Sequence, residues 1–358
     1  MKIKNKDIAL ALGISEATVS LAVNDRPGVN PETKQKVLDY ITKRELSEFN
    51  EKYAKPESIK GSVMVLTYKK NGSIMERADE LHVGVKRRGG REYGSFSARL
   101  KELCRSNGYK CIFREFLENT ETFENLIKEI KDKNVKGIYI YAAEMSRQDI
   151  LPFTELNIPL VVGDNLFYKE GADAYLVDNE EGIRRAVDTL VDCGHSDILY
   201  MAENSDIFNF RERRAAFEAE MVLRNCPDPR KRIIHLGSEV QEISQNMDAL
   251  LEKGLKHVTA FVLESSYVSV GVIKSLLAHN IKIPRQISLI GFDALPGEDI
   301  PGIELTLIKG THTKRHYSGV QHLINRIEHR SDEIMKVYYK TRLIEGNSVF
   351  DKTKYIYV

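Results

Sequence analysis

The sequence predicts an all-α helix-turn-helix head followed by an α/β body of two doubly wound parallel-sheet lobes. Three observations carry that prediction. Residues 2–44 hold three short helical patterns separated by turn residues. Residues 45–60, ELSEFNEKYAKPESIK, are polar and mixed in charge and end around a proline, as a linker does. From Gly61 onward apolar β-rich runs alternate with amphipathic segments. Near-continuous apolar strands in such an alternation belong to a parallel sheet covered on both faces. There are too many strand–helix units for one small sheet, so two lobes are expected.

In the head, helices are expected over Asp7–Leu12, Ser15–Val23 and Pro31–Arg44. Ser15 is a good N-cap, and Asn30 followed by Pro31 places a cap before proline at the first helical position. Ala9 is small where two helices must approach. Gly13, four residues on, can take the positive φ of a tight interhelical turn. Val19 and Ala22 then face inward, and Glu16, Ala17, Ser20, Leu21 and Asn24 face out. A second helix of this kind enters the major groove of double-stranded DNA. Base contacts fall to Glu16, which can accept from a cytosine amino group, and to Ala17 and Leu21, which can touch thymine methyls. Ser15 stands at the start of the same helix and is grouped with these residues. Hydroxyls of Thr18, Ser20 and Thr33 and the amide of Asn24 suit phosphate. Lys4, Lys6, Lys34 and Lys36 add salt-dependent attraction.

In the body, strands are expected over 63–68, 109–116, 137–142, 158–164, 174–178, 197–202, 232–236, 258–264 and 287–293. Helical patterns occupy 97–108, 122–133, about 146–156, 180–194, 212–225, 242–254 and 267–280. Residues 69–94, rich in charge and glycine, are a lid, a partner-binding loop or a disordered insertion at the mouth of a cleft.

Composition bounds the function. The net charge is +1, yet residues 1–44 carry eight Lys/Arg against five Asp/Glu, so the basic excess sits at the N-terminus. Cys104, Cys111, Cys193 and Cys226 form no Cys-x-x-Cys pair, which points to reduced thiols, with neither zinc nor disulfides. The two histidines of THTKRH (311–316) read as a solvated helix start, so no metal site is expected. Asp7 and Glu16 bracket the first apolar run, no small-residue cleavage site follows, and no stretch approaches a membrane span. A cytoplasmic chain is expected. No P-loop, Gly-x-Gly-x-x-Gly after a strand, His-Glu-x-x-His or Gly-x-Ser-x-Gly occurs, so neither an enzyme nor a cofactor is expected.

Three stretches, TVSLAVNDRPGVNPETKQKV (18–37), VDNEEGIRRAVDTLVDCGHSDILYM (177–201) and IPRQISLIGFD (283–293), together resemble the lactose/galactose-repressor (LacI/GalR) family of bacterial transcription factors. The resemblance spans nearly the whole chain in order. It implies a DNA-binding head over 1–46, a hinge over 47–60 and a core over 61–358 like periplasmic sugar-binding proteins. Lobe one is placed at about 61–163 plus 294–325, and lobe two at about 164–293 plus 326–358. The resemblance further implies a homodimeric regulator, a repressor, whose operator affinity answers to a small effector in the interlobe cleft, a sugar or sugar derivative.

Carried over by position, RRAAF (213–217) matches the family's Arg-x-x-Gly-aromatic pattern. Arg213 then grips ligand oxygens, and Ala216 replaces the glycine. Asp293, which ends a strand, falls where the family has an acceptor for ligand hydroxyls. Ser265 and Ser266 replace the usual Asn-Asp pair. The usual stacking aromatic is missing, which leaves Phe167, Tyr168, Phe208 or Phe210 for that part. The hinge also departs: Asn50 and Ala54 are present without the preceding proline or a clear leucine wedge, and Tyr53 is the substitute. These departures leave a second reading open, a DNA-binding regulator whose core answers a protein partner through residues 69–94.

Overall fold

The computed structural model describes residues 5–23, 28–30, 33–41, 59–70, 90–167, 169–295 and 300–355. The chain divides into two compact units, Met1–Ile59 and Lys60–Val358. Expectations for Lys4, Asn24, Tyr168 and the hinge residues Asn50, Tyr53 and Ala54 lie outside the described residues. So does most of the 69–94 segment.

In the first unit, helix α1 (Asn5–Leu12), helix α2 (Glu16–Val23) and helix α3 (33–41) enclose a small core. Ile8, Ala9, Val19, Ala22 and Val37 are buried in it, with Leu12, Ile14 and Tyr40 packed against them. Gly13 has φ +66°, and Ile14 N–H donates to the Ala9 carbonyl at 3.1 Å, which closes α1. Ser15 Oγ accepts from Thr18 N–H at 3.0 Å, and Asn30 Oδ1 accepts from Thr33 N–H at 2.7 Å. Both caps therefore satisfy donors that a helix start leaves without partners.

The second unit contains two six-stranded sheets. The first runs β11-β5-β4-β3-β1-β2, with β1 at Gly61–Lys69, β2 at Tyr109–Leu117, β3 at Val135–Tyr141, β4 at Leu160–Gly163, β5 at Asp173–Val177 and β11 at Lys336–Tyr339. All its pairings are parallel. The second runs β12-β10-β9-β8-β6-β7, with β6 at Ile198–Ala202, β7 at Ile233–His235, β8 at Ala260–Leu263, β9 at Ser288–Phe292, β10 at Thr306–Lys309 and β12 at Arg342–Ile344. Only its edge strand β12 runs antiparallel.

Both sheets are covered on both faces. In lobe one, α4 (Gly90–Ser106) and α11 (His312–Glu328) bury Leu100, Leu103, Val320 and Leu323 on one side. On the other side α5 (Phe123–Asp132) and α6 (Arg147–Thr154) bury Leu126, Ile130, Ile150 and Phe153. In lobe two, α7 (Asn179–Asp192) and α8 (Phe208–Leu223) cover one face, and α9 (Val240–Lys253) and α10 (Ser266–Ala278) the other. A Cβ on Gly319 would come 2.4 Å from Tyr139 Cε2, so only glycine lets α11 lie this close to β3. Full burial of each such Leu or Ile stabilises the fold by about 1.5–3 kcal/mol.

Three expectations need correction. The lobe boundaries differ: β5 (173–177) and β11 (336–339) belong to lobe one, and β10 (306–309) belongs to lobe two. Apolar strands look alike in sequence whichever sheet they join, so only pairing assigns them. The helix expected to begin at 97 begins at Gly90. The THTKRH stretch does start a helix, α11, and His312, Thr313 and Lys314 are exposed there, but His316 is fully buried, so only one of the two histidines is solvated.

The chain thus crosses between lobes three times, after β5, after β10 and after β11. The crossings after β5 and after β11 are tied together. Asp178 N–H donates to the Tyr339 carbonyl at 3.0 Å, and the Thr341 hydroxyl donates to Glu181 at 2.6 Å.

Candidate functional site

In the head unit, Ser15, Glu16 and Ala17 are exposed along the start of α2, and Thr18, Ser20 and Leu21 are half-buried. The Thr18 hydroxyl lies 2.8 Å from Ser15 Oγ, so it completes the cap as well as facing outward. Leu21 leans toward the following turn, its Cδ1 3.6 Å from where a Cβ on Gly28 would sit. Thr33 and Lys34 are half-buried at the start of α3. The structure therefore gathers the described DNA-facing candidates on α2 and the start of α3.

In the core, the residues of interest gather at the C-terminal strand ends beside the crossings, where open α/β sheets take their ligands. Arg213, on the second turn of α8, is 4 % exposed. Its Nε donates to Asn179 Oδ1 at 2.9 Å, and its Nη1 donates to the Glu264 carbonyl at 2.7 Å. The guanidinium carbon lies 3.4 Å from the centroid of the Phe292 ring, a cation–π contact. Nη2 faces Asp293 Oδ2 at 3.6 Å, and the Asp293 side chain is 52 % exposed. Asp293 has φ +65°, as does Asp164 after β4. The αL conformation that aspartate tolerates thus ends the key strand of each lobe.

Ser265 caps α10, accepting from Val268 N–H at 3.3 Å, while its hydroxyl donates to Glu203. It adjoins the carbonyl that Arg213 grips. Phe167 is not brought to this group: it is 6 % exposed inside the lobe-one core. Phe208 of α8 packs against that same cluster, an aromatic contact from lobe two to lobe one. A groove of about 820 Å³ lies elsewhere, between α7 and α8, bordered by Glu180, Arg184, Glu212 and Arg224.

Sequence reasoning missed the residues that complete the group. Asn179 Nδ2 donates to Asn209 Oδ1 at 2.9 Å and to Glu212 at 2.8 Å. Asn209 Nδ2 in turn reaches Asp164 Oδ1 of lobe one at 3.3 Å, linking the lobes. Asp164 is ion-paired with Arg315 and sits 3.2 Å from His316 Nε2. Burial alone raises a carboxyl pKa, but Arg315 and His316 hold that of Asp164 well below the usual carboxylate range. Burial, reinforced by Arg315, pushes His316 down to about 4, so its imidazole is neutral at pH 7. Buried Glu264 is raised by desolvation, even though Arg214 bonds both its oxygens. Asp164, Asn179 and Glu264 all stand at strand ends or just beyond, so that position was the available signal. For Arg315, inside a helix, the sequence offered none.

A periplasmic binding protein-like domain family matches residues 187–349. The HTH-type transcriptional repressor PurR of Actinobacillus pleuropneumoniae serotype 3 is 25 % identical over 340 residues, covering 95 % of this chain and 94 % of that protein. The transcriptional regulator CelR in complex with cellobiose superposes with a TM-score of 0.65 at 18 % identity, covering 97 % of this chain and 100 % of that one. The lac repressor dimer bound to operator and the anti-inducer ONPF gives a TM-score of 0.63 at 16 % identity, over 98 % and 100 % of the two chains. Among the described residues, no helix is long and apolar enough to cross a membrane.

Proposed function

We propose that this chain is a transcriptional regulator of the LacI/GalR type, similar along nearly its whole length to a transcriptional repressor, whose head reads a DNA operator and whose core transmits the binding of a small hydroxylated ligand, a sugar or sugar derivative. The observation that carries the reading is the buried Arg213. Three of its partners are spent on positioning it, and its Nη2 edge is left facing the half-exposed carboxylate of Asp293. A donor edge opposite an acceptor suits adjacent hydroxyls, which both donate and accept. Burial fixes the guanidinium plane before the ligand arrives, so little ordering is left to offset binding.

On this reading Glu16, Ala17 and Leu21 meet base edges in the major groove, and Thr18, Ser20, Thr33 and Lys34 meet phosphates. The regulator works as a cytoplasmic homodimer, as in the dimeric relative bound to its operator. PurR, one of the similar proteins, is a repressor, and repression is the sign we assign.

The test combines two measurements on the full chain. Binding-site selection from a random DNA pool is expected to return a two-fold symmetric site. A thermal-shift panel of mono- and disaccharides, with nucleobases as a contrast, is expected to reveal a sugar that stabilises the core and changes operator affinity. A selected pool with no common sequence overturns the operator reading. Stabilisation by a nucleobase and by no sugar overturns the ligand class.

A further inference from the structure

Beside the Arg213 group, in lobe one, Asp164 belongs to a second set of side chains to which the effector reading gives no ligand-binding part. Asp164 follows β4, and His312 and His316 lie one turn apart on the same face of α11. One donor atom from each lies within 4.8 Å of the other two. We propose that these three residues bind a divalent transition-metal ion, with its remaining positions open to water or to an oxygen or nitrogen of a chelating ligand.

The geometry favours this over a chance cluster. Asp164 Oδ2 and His316 Nε2 stand 3.2 Å apart. Two ligands of a tetrahedral ion with bonds of about 2.0–2.1 Å are separated by about 3.3–3.4 Å, so this edge is nearly in place. The outer partners a metal site needs are also present. The Tyr139 hydroxyl bonds His316 Nδ1 and fixes the ring, and Arg315 Nη1 binds Asp164 Oδ1, leaving Oδ2 facing inward. Both His316 and Arg315 are at most 2 % exposed, so this orientation is held by packing. His312 is exposed, which supplies an entry path. Its ring lies 4.2 Å from that of His316, centroid to centroid.

Without an ion, His316 Nε2 faces two groups with opposite demands. It must donate to Asp164, yet it sits 3.2 Å from an Nη2 donor of Arg315. An ion on Nε2 and Oδ2 needs only the lone pairs. The guanidinium close by disfavours hard ions held by charge alone. Two imidazoles with one carboxylate select Zn²⁺, Co²⁺ or Ni²⁺ over Mg²⁺. The proposal concerns lobe one alone and stands whatever ligand occupies the cleft.

The experiment loads the full-length, EDTA-treated chain with Zn²⁺ and separately with Co²⁺, with Mg²⁺ as the contrast. One Zn²⁺ per chain is expected by elemental analysis after gel filtration. The Co²⁺ form is expected to show the strong visible bands of a four-coordinate ion without a thiolate charge-transfer band. His312→Ala, at an exposed position that preserves the fold by circular dichroism, is expected to weaken Zn²⁺ at least tenfold. Sub-stoichiometric zinc, a thiolate band that assigns the ion to the cysteines, or unchanged affinity in His312→Ala would each overturn the proposal.

Discussion

Replacing Arg213 with methionine tests the centre of the functional reading, because it keeps the volume and removes the fork. The change leaves two buried acceptors, Asn179 Oδ1 and the Glu264 carbonyl, without their donor. Each such orphan costs about 1–3 kcal/mol. The cation–π contact with Phe292 contributes a further ~1–2 kcal/mol at a buried site. Asp293 is half-exposed, and water replaces most of what its contact at 3.6 Å contributes, so that contact is discounted. Asn179 can turn its amide, which recovers part of the loss, and the net cost is about 3 kcal/mol. For a core of this size each kcal/mol lowers Tm by about 2–4 °C, so a fall of about 6–12 °C is expected. The chain has no tryptophan, so far-UV circular dichroism is the probe. The same melts with and without a stabilising sugar give the second readout, and the sugar-induced shift is expected to disappear. A core melting within 2 °C of the parent that keeps its sugar shift would refute the assignment.

Further outcomes follow from other parts of the molecule. Asp173 accepts from His322, from Arg326 at 2.7 and 2.8 Å and from Met335 N–H at 2.6 Å, joining β5, α11 and β11. Despite burial, these partners lower its pKa to about 2 from 3.8. A depressed carboxylate stabilises the fold above its unfolded pKa and loses that contribution as pH falls toward the folded value. Asp173→Asn is therefore expected to cost about 2 kcal/mol at pH 7, with the gap from the parent closing in urea melts between about pH 4 and pH 2; a gap independent of pH contradicts the charge argument. Gly319→Ala, normally worth about 1 kcal/mol to a helix, is expected instead to lower core stability by ~1–3 kcal/mol, because the methyl meets Tyr139. Calorimetry showing an unchanged or raised Tm would mean that α11 can back away from β3. Leu21→Arg is expected to move the preferred base at its position toward guanine in a binding-site selection, since arginine pairs bidentately with guanine and leucine cannot. An unaltered preference would remove Leu21 from the base-reading set.

Local order in this chain was legible because each signal is carried by neighbouring residues. Ser15 and Asn30 cap their helices, Gly13 makes the turn, and Val19 and Ala22 face inward, all within a few positions of one another. The nine strands expected up to residue 293 likewise announce themselves by apolar runs. Arg213 and Asp293 were found by position in a motif, and the fold brings them to 3.6 Å from each other.

What no stretch of sequence contains is the partner of a strand or the neighbour of a buried charge. Three short strands after residue 300 passed unnoticed. Of these, β11 has alternating exposure at the edge of one sheet, and β12 lies at the edge of the other. Strand β5 was assigned to the wrong lobe because its run of apolar residues fits either sheet. Phe167 was expected to stack on a ligand and is spent on the lobe-one core, while Phe208 bridges to that core from the other lobe. Arg315 looked like one more cation on an amphipathic helix, and the fold buries it against Asp164, 151 residues away. Capping, periodicity and turn chemistry are short-range and were fixed by the amino-acid order. Strand pairing, the triple crossing between lobes and the charge network across it depend on long-range closure, and only the folded chain decided them.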